Sequence, residues 1–166
     1  PVGRTGPSTL LSQFTDENIV TDAYAARIDP ERNFTSALIW GGNADDTANA
    51  VTLDALGRPW VASFITDTVQ LGGRRYELGF DYHGLLTRLT PEGELDMAFE
   101  LVGDVVIPLT VVARGTQTLW VGGYFRGELP VVIDGQASTV LQPLEGQRRR
   151  GFLMRLDFPA GPDTAP

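Results

Sequence analysis

The chain of 166 residues contains no cysteine and no lysine, and His83 is its single histidine. Without cysteine, disulfide bonds and thiolate metal sites are excluded. Without lysine, all thirteen basic side chains are arginine, so Schiff-base chemistry and the phosphate-gripping lysine of a P-loop are excluded as well. A catalytic triad or a histidine metal site would have to use His83, and only Asp81 nearby suggests a partner for it. We interpret His83 as a solvated loop residue, which argues against an enzyme.

A basic surface and long apolar segments are also missing. The chain has 13 arginines and 21 acidic residues, which gives a net charge of −8. Because phosphate binding needs a basic face, we expect no nucleic acid partner. No apolar run approaches the length that crosses a bilayer, so we expect no membrane span. The first residue is Pro1, which cannot start translation, so we expect a processed terminus or a fragment.

What the sequence does contain is an internal repeat of about sixty residues. Three sets of matching segments carry it: 24–30 with 85–91 and 152–157, 60–63 with 120–123, and 38–40 with 97–99. The spacing lengthens in the later part of the chain, which indicates an insertion between Phe125 and Arg150. Repeats of this length indicate stacked supersecondary units, which mostly serve as frames and binding surfaces.

Glycine and proline, 19 and 11 residues, separate short apolar segments, and no window shows a sustained helical period. Short apolar segments separated by glycine and proline are typical of β-structure. Antiparallel neighbours are predicted for four pairs of segments: 24–29 with 36–40, 50–53 with 60–64, 85–90 with 94–101, and 105–113 with 118–125. The sequence therefore predicts an all-β fold.

Each repeat holds about four strands and a long connection, and four antiparallel strands form the blade of a β-propeller. We therefore predict about two β-propeller blades of four antiparallel strands, with a partial blade at each end. An open or sandwich-like β-structure is the alternative. The propeller segment is expected to cover residues 1–158, with repeats at about 24–84 and 85–151, and residues 159–166 are expected to form a tail or linker.

The first repeat resembles the seven-bladed propeller repeat family often called SBBP. Its members show a tryptophan strand, a Gly-Gly turn, an acidic loop, an apolar strand ending in aspartate, a glycine turn and an aromatic-valine strand. The matching residues are Trp40-Gly41-Gly42, Asp45-Asp46, Val51-Thr52-Leu53-Asp54, Gly57 and Trp60-Val61-Ala62. The resemblance covers about residues 22–157. The second repeat departs from it, because Phe99 stands for Trp40, Ala113 stands for Asp54, and residues 101–104 lack the acidic loop.

The resemblance implies a scaffold without catalytic residues, from a bacterial surface or secreted protein and hence an extracytoplasmic location. We expect a non-catalytic structural, adhesion or assembly component that binds other protein chains, alike or different, through its strand edges and loops. Two blades do not close a propeller. Either the chain is part of a longer polypeptide, or other chains complete the ring, or the fold stays open. The alternative function is a carbohydrate-binding, lectin-like propeller formed by oligomerisation.

Two groups of residues are candidates for ligand binding. Guanidinium groups suit carboxylates, sulfates and acidic glycans, and aromatic rings in a loop-rich stretch suit exposed contacts. Solvated loops, local ion pairs and core packing are the structural alternatives. The candidates are Arg74, Arg75, Arg148, Arg149, Arg150, Tyr76, Phe80 and Tyr82.

Asp45 and Asp46, together with Asn43, place several oxygen ligands on one predicted loop. Calcium takes about six to eight such oxygens. The loop lacks the alternating acids and the glycine of a dedicated calcium loop, so solvation and turn capping are favoured and calcium is the alternative. Calcium at this loop is the one cofactor for which the sequence offers ligands.

Overall fold

Regular secondary structure is entirely β-strand in the residues that the computed structural model describes, which are 21–133, 136–142 and 149–158. The predicted all-β fold is confirmed. None of these residues belongs to a helix that is long and apolar enough to cross a membrane. The strands are β1 (Ala23–Ile28), β2 (Phe34–Gly42), β3 (Thr47–Leu53), β4 (Pro59–Leu71), β5 (Arg74–Leu89), β6 (Leu95–Leu101), β7 (Val105–Arg114), β8 (Thr118–Arg126), β9 (Leu129–Ile133), β10 (Gln136–Leu141) and β11 (Arg150–Asp157).

Nine strands form one mixed sheet that does not close into a barrel. The order is β1-β2-β4-β5-β7-β8-β11, with β3 on β4 and β6 on β5, and β9 pairs with β10 separately. Strands β4 and β5 have several neighbours because their two halves pair with different strands. The contact between β5 and β7 is parallel and pairs Tyr82 with Val105.

The strand pairing repeats together with the sequence. The β3–β4 ladder pairs Thr52 with Trp60, and the β7–β8 ladder pairs Val112 with Trp120. Both ladders also carry a bulge, at the same distance from the tryptophan. A shared bulge indicates that the two hairpins have the same register and twist.

The second half of the repeat shows the same agreement. In the β1–β2 ladder Arg27 pairs with Ser36, and in the β5–β6 ladder Arg88 pairs with Met97. Each ladder has a bulge directly after the arginine. Strands β1 and β2 therefore correspond to β5 and β6.

One tryptophan–arginine pair links the two halves of each repeat. Trp60 pairs with Arg88 between β4 and β5, and Trp120 pairs with Arg155 between β8 and β11. Strands β3-β4-β5-β6 thus form a four-stranded antiparallel meander, which we call unit 1. Strands β7-β8-β11 follow the same pattern for three strands, which we call unit 2. In this comparison β1 and β2 are the last two strands of a unit that precedes unit 1.

The match of Trp40 with Phe99 is wrong by two residues. Trp40 pairs with Ala23, and in the equivalent ladder Leu101 pairs with Gly84, so Trp40 corresponds to Leu101. Trp40 and Leu101 are both buried, as their shared ladder position requires. Leucine is not aromatic, so aromatic character does not define this position. Aromatic identity was the misleading signal here, because burial at this site requires only a large apolar side chain.

Two further details differ from the predictions. Ala113 corresponds to Leu53 rather than Asp54, because these residues occupy the same place in the β7–β8 and β3–β4 ladders. The loop-rich stretch expected around residues 76–82 is instead part of a long β4–β5 hairpin that extends to a turn at Gly72-Gly73. The expected tail 159–166 lies outside the described residues.

Two apolar cores lie at equivalent places along the chain. The first, core A, contains Ala23, Trp40, Val61, Ile65, Val69, Leu71, Tyr76 and Leu85. The second, core B, contains Trp60, Ala62, Leu86, Leu101, Val106, Val111, Leu119, Val121, Phe125, Leu129 and Phe152. Trp40, Val61, Ile65 and Leu85 of core A correspond to Leu101, Val121, Phe125 and Phe152 of core B. Core B thus joins unit 1 to unit 2, as core A joins β1 and β2 to unit 1.

Hydrogen bonds between β3 and β7, and between the turns that follow them, reinforce the contact between units 1 and 2. The Asn49 side chain donates to the Pro108 carbonyl oxygen at 2.7 Å, and the Ala113 amide donates to Thr52 Oγ1 at 3.4 Å. The Ala55 amide donates to the Gly115 carbonyl oxygen at 3.0 Å. Side-by-side packing of the units therefore combines apolar burial with backbone contacts.

Replacing Trp60 by alanine should destabilise the protein by about 3–5 kcal/mol, because the side chain is 1% exposed and lies in core B. Trp120 occupies the same place in unit 2 but is 38% exposed, so Trp120→Ala should cost less than about 2 kcal/mol. Urea unfolding followed by circular dichroism measures both values. Equal losses for the two variants would contradict the assignment of Trp60 to a contact between units.

Candidate functional site

A groove of about 930 Å³ lies between β1 and β3. Strand β1 contributes Ala23, Tyr24, Ala25, Ala26 and Arg27, and β3 with the turn after it contributes Thr47, Ala48, Asn49, Ala50, Val51, Leu53, Leu56 and Gly57. Asp22 and Asp46 also line it. We call this the β1–β3 groove.

Four large apolar side chains of the groove are exposed. Tyr24 is 56% exposed, Val51 65%, Leu53 61% and Leu56 49%. Scattered exposed apolar residues are ordinary, whereas several that line one groove mark a place where another molecule binds. The groove is therefore the candidate site.

The equivalent position in unit 2 is covered. Val51 corresponds to Val111, which is 4% exposed and packs in core B with Trp60 and Ala62 of β4. Strand β5 forms part of core B beside β4, and β1 is its counterpart at the groove. Among the described residues, no strand lies beside β1 in the way that β4 lies beside β5. Within the described part of the chain, the groove thus has walls like those of core B but no counterpart of the strand that carries Trp60.

Two equivalent arginines also differ in burial, as Val111 and Val51 do. Arg88 is buried, its Cζ lies 5.3 Å from the centre of the Trp60 ring, and its Nε lies 2.5 Å from Asp96 Oδ2. Arg27 is exposed and lines the groove, and its Nη1 donates to the Pro91 carbonyl oxygen at 2.8 Å. A guanidinium group attracts an aromatic face, so Arg27 can receive a ring from the groove side.

A buried carboxyl group lies at one end of the groove. Asp46 is 1% exposed, its Oδ1 accepts the Thr66 amide at 2.8 Å, and its Oδ2 has no hydrogen-bond partner. Burial raises the pKa of Asp46 to about 7, repulsion by Asp22 and Asp45 adds to the shift, and backbone amides of Thr66 and Gly42 oppose it. The equivalent residue in unit 2 is the apolar Val106, so this position favours an uncharged side chain.

The expected calcium site receives no support from the geometry. Asp45 Oδ1 accepts the amide and the hydroxyl group of Thr21, both at 3.0 Å, and the Asp45 carbonyl oxygen accepts the Thr66 hydroxyl at 2.7 Å. Within the described residues, no group of three or more acidic or histidine side chains is arranged to hold a metal ion. Asp45 and Asp46 therefore act as acceptors that fix the chain before β3.

The predicted arginine clusters lie apart from the groove and from each other. Arg74 and Arg75 begin β5, where Arg75 Nε lies 2.9 Å from Glu77 Oε1. Arg149 lies over the ring of Tyr124, with its Cζ 5.1 Å from the ring centre, and the Arg150 side chain donates to the Gln142 carbonyl oxygen. Strands β7 and β8 separate β5 from β11 in the sheet. Arg148 lies outside the described residues.

The three aromatic residues predicted to make exposed contacts are Tyr76, Phe80 and Tyr82. All three belong to β5, not to a loop. Tyr76 is buried in core A, so its expected exposure is wrong, and Arg74 lies over its ring. Tyr82 is 40% exposed and packs against Phe64 with 5.6 Å between ring centres. The side chain of Phe80 lies outside the described residues.

The interpretation of His83 as a solvated loop residue is also wrong. It lies in β5, its side chain is 12% exposed, and its Nδ1 lies 2.6 Å from Glu100 Oε1. Glu100 belongs to the neighbouring strand β6, so the pair ties two strands of unit 1 together. This contact gives His83 a structural role.

The amino-acid sequence alone does not distinguish the groove residues from core residues. Val51 and Leu53 read as ordinary core positions of a strand, since their apolar pattern does not say which neighbour covers them. A signal was present in the repeat itself: Ala25 and Ala26 stand where the next repeat has Leu86 and Thr87. Leu86 packs in core B, so the smaller Ala25 at the equivalent position leaves space on that face of β1.

Asp46→Asn should make stability less dependent on pH. The native state holds a proton on Asp46 up to about pH 7, while the unfolded state loses it near pH 4, so unfolding free energy falls as pH rises through that interval. The asparagine variant cannot titrate, so it should exceed the natural protein in stability at pH 8 by about 1–3 kcal/mol and match it at pH 4. Urea unfolding at several pH values measures this.

Asp46→Ala is the control for that experiment. It must remove the same pH dependence, but it also removes the acceptor of the Thr66 amide and should therefore be less stable than Asp46→Asn at every pH. Unchanged pH dependence in both variants would show that Asp46 is not protonated in the folded state.

A chelator should leave the melting temperature unchanged. Asp45 Oδ1 and Asp46 Oδ1 already accept hydrogen bonds from protein donors, so we expect calcium to add no stability at this loop. Thermal melts with EDTA and with added calcium test this. A rise of several degrees on adding calcium would restore the metal site, because a ligand that binds the folded state raises its stability.

No family model matches the chain, and no curated protein or solved structure matches it either. The resemblance to the SBBP family therefore remains an expectation from the sequence. Function has to be argued from the β1–β3 groove and from the repeat that surrounds it.

Proposed function

We propose that this chain is a non-catalytic assembly component, built from β-propeller blades, that binds a separate protein chain through the β1–β3 groove. One observation carries the proposal: Tyr24, Val51, Leu53 and Leu56 are exposed in the groove, while Val111, the unit 2 counterpart of Val51, is buried between units. A surface that resembles the inside of an interface is suited to a protein partner.

Several features favour blades as the architecture. Unit 1 is a four-stranded antiparallel meander, and unit 2 packs beside it through core B. The blades of a propeller are four-stranded antiparallel sheets arranged side by side. The resemblance to the SBBP family points the same way, and to a bacterial surface or secreted protein in an extracytoplasmic location.

The chemistry of the groove favours binding over catalysis. Its lining is mainly apolar, and the carboxyl group of Asp46 is buried and bonded to the Thr66 amide. The single histidine is paired with Glu100 in unit 1 and does not line the groove. General acid or base catalysis needs a titratable group within reach of a substrate, and an apolar groove favours contact with a protein.

Glycan binding has weaker support. A lectin assembled from equivalent blades needs exposed aromatic rings at equivalent positions, and the described residues differ in this respect. Trp120 is 38% exposed but its counterpart Trp60 is 1% exposed, and Tyr24 is 56% exposed but its counterpart Leu85 is fully buried. Protein binding through one groove is therefore the proposed function.

Photochemical cross-linking tests the proposal. A benzophenone amino acid in place of Val51 projects into the groove and should cross-link to a second polypeptide in material isolated from native cells, since Val51 is 65% exposed there. The matched control carries the same amino acid in place of Val112, which lies on β7, is 53% exposed and does not line the groove. Mass spectrometry identifies both products.

A cross-link from position 51 but not from position 112 would support the proposal. Equal labelling at both positions would indicate random encounters. A cross-link from position 51 only to residues of the same chain, in material that light scattering shows to be monomeric, would contradict binding of a separate chain.

A further inference from the structure

We propose that the partner enters the β1–β3 groove as an extended strand, adds to β1 in antiparallel orientation, and carries the pattern aromatic–valine–small–small. This inference rests on the proposed function and specifies the chemistry of the partner. It follows from comparing the groove with the equivalent contact between units 1 and 2.

The register of the incoming strand follows from the β4–β5 ladder. There Trp60 faces Arg88, Val61 faces Thr87, and Ala62 faces Leu86. The residues of β1 at these three positions are Arg27, Ala26 and Ala25. A strand on β1 would therefore place an aromatic residue opposite Arg27, valine opposite Ala26 and a small residue opposite Ala25.

Both described units support this pattern. Strand β4 carries Trp60-Val61-Ala62-Ser63 on β5, and β8 carries Trp120-Val121-Gly122-Gly123 on β11. Three arginines are equivalent, and two of them already face a tryptophan: Arg88 faces Trp60, and Arg155 faces Trp120. Arg27 is the third, and it lines the groove without an aromatic partner among the described residues.

The wall of the groove opposite β1, formed by β3, also has the side chains that an added strand would contact. In core B, Trp60 and Ala62 of β4 pack with Val111 of β7. Val51 of β3 is the counterpart of Val111 and is 65% exposed. An aromatic residue opposite Arg27 would thus reach an apolar wall at Val51, while backbone hydrogen bonds to β1 supply affinity that does not depend on sequence.

The sequences that flank the described residues lack this pattern. Residues 1–20 contain one aromatic residue, Phe14, and a threonine follows it. Residues 159–166 contain none. In a second copy, β4 and β8 carry the pattern, and each already has strands on both edges. None of these segments carries the pattern in an available form, and the occupant that we propose is a strand of a separate polypeptide.

A synthetic peptide with the sequence of residues 57–66 tests the proposal, because it contains the β4 pattern. Fluorescence anisotropy of the labelled peptide against the full chain should give a dissociation constant of about 10–100 μM, as expected for a short strand that must be ordered on binding. The same peptide with Trp60→Ala should bind at least about tenfold more weakly, because the ring is the main apolar anchor. A scrambled peptide should not bind.

Variants of the protein locate the site. Val51→Asp introduces a charge into the apolar wall and should weaken peptide binding at least about tenfold. Val112→Asp is the matched control, with the same change on a strand at similar exposure outside the groove, and should leave affinity within about twofold. Arg27→Ala should weaken binding about threefold to fivefold. Circular dichroism checks that each variant is folded, and hydrogen exchange should show peptide-dependent protection of residues 23–28.

The outcomes separate the inference from the proposed function. Absence of peptide binding, together with a cross-link from position 51 to a separate chain, would overturn strand addition and leave the proposed function standing. Binding that Val51→Asp does not weaken, or that protects residues other than 23–28, would overturn the inference as well. A cross-link from position 51 to residues 1–20 of the same chain would overturn both. Peptide binding with the expected dependence on Val51, Arg27 and the tryptophan would support the inference even if no natural chain were captured.

Discussion

Lateral packing of one unit against the next is the contact on which the structure depends. Unit 1 has an apolar face that its own strands do not cover, and unit 2 buries it in core B, where Trp60 of β4 meets Val111 of β7. Because a four-stranded sheet cannot bury its faces alone, each unit needs a neighbour. The same requirement explains why the β1–β3 groove, which lies on the other face of unit 1, has an apolar wall.

The repeat predicted the all-β class and several hairpins, and the propeller arrangement stays a prediction. Its spacing placed the hairpins of β3–β4, β5–β6 and β7–β8 correctly, because glycine turns between apolar segments are local signals. Which residue of the second repeat corresponds to Trp40 was not predictable, since either Phe99 or Leu101 could fill a buried site. The extension of β4 and β5 was missed because polar residues such as Arg74 and Arg75 suggested a solvated loop, whereas they are exposed residues of a strand.

The site was less predictable than the fold. Burial of a strand residue depends on which neighbour covers it, and this is a property of the assembled sheet. Val51 and Val111 have the same identity and the same ladder position, yet one is 65% and the other 4% exposed. The acidic loop was recognised from sequence as a segment for turn capping or calcium binding, but the burial of Asp46 against the Thr66 amide was not predicted.

Asp46 adds a physical reason for the groove to prefer an apolar partner. The residue that corresponds to it in core B is Val106, and the pKa of Asp46 is raised to about 7, so both positions are most stable without charge. A partner strand that excludes water from the groove would make the charged form of Asp46 still less favourable. Binding of such a strand would then be coupled to protonation of Asp46 and would be tighter in mildly acidic than in alkaline solution, because a proton lost with rising pH would have to be regained on binding.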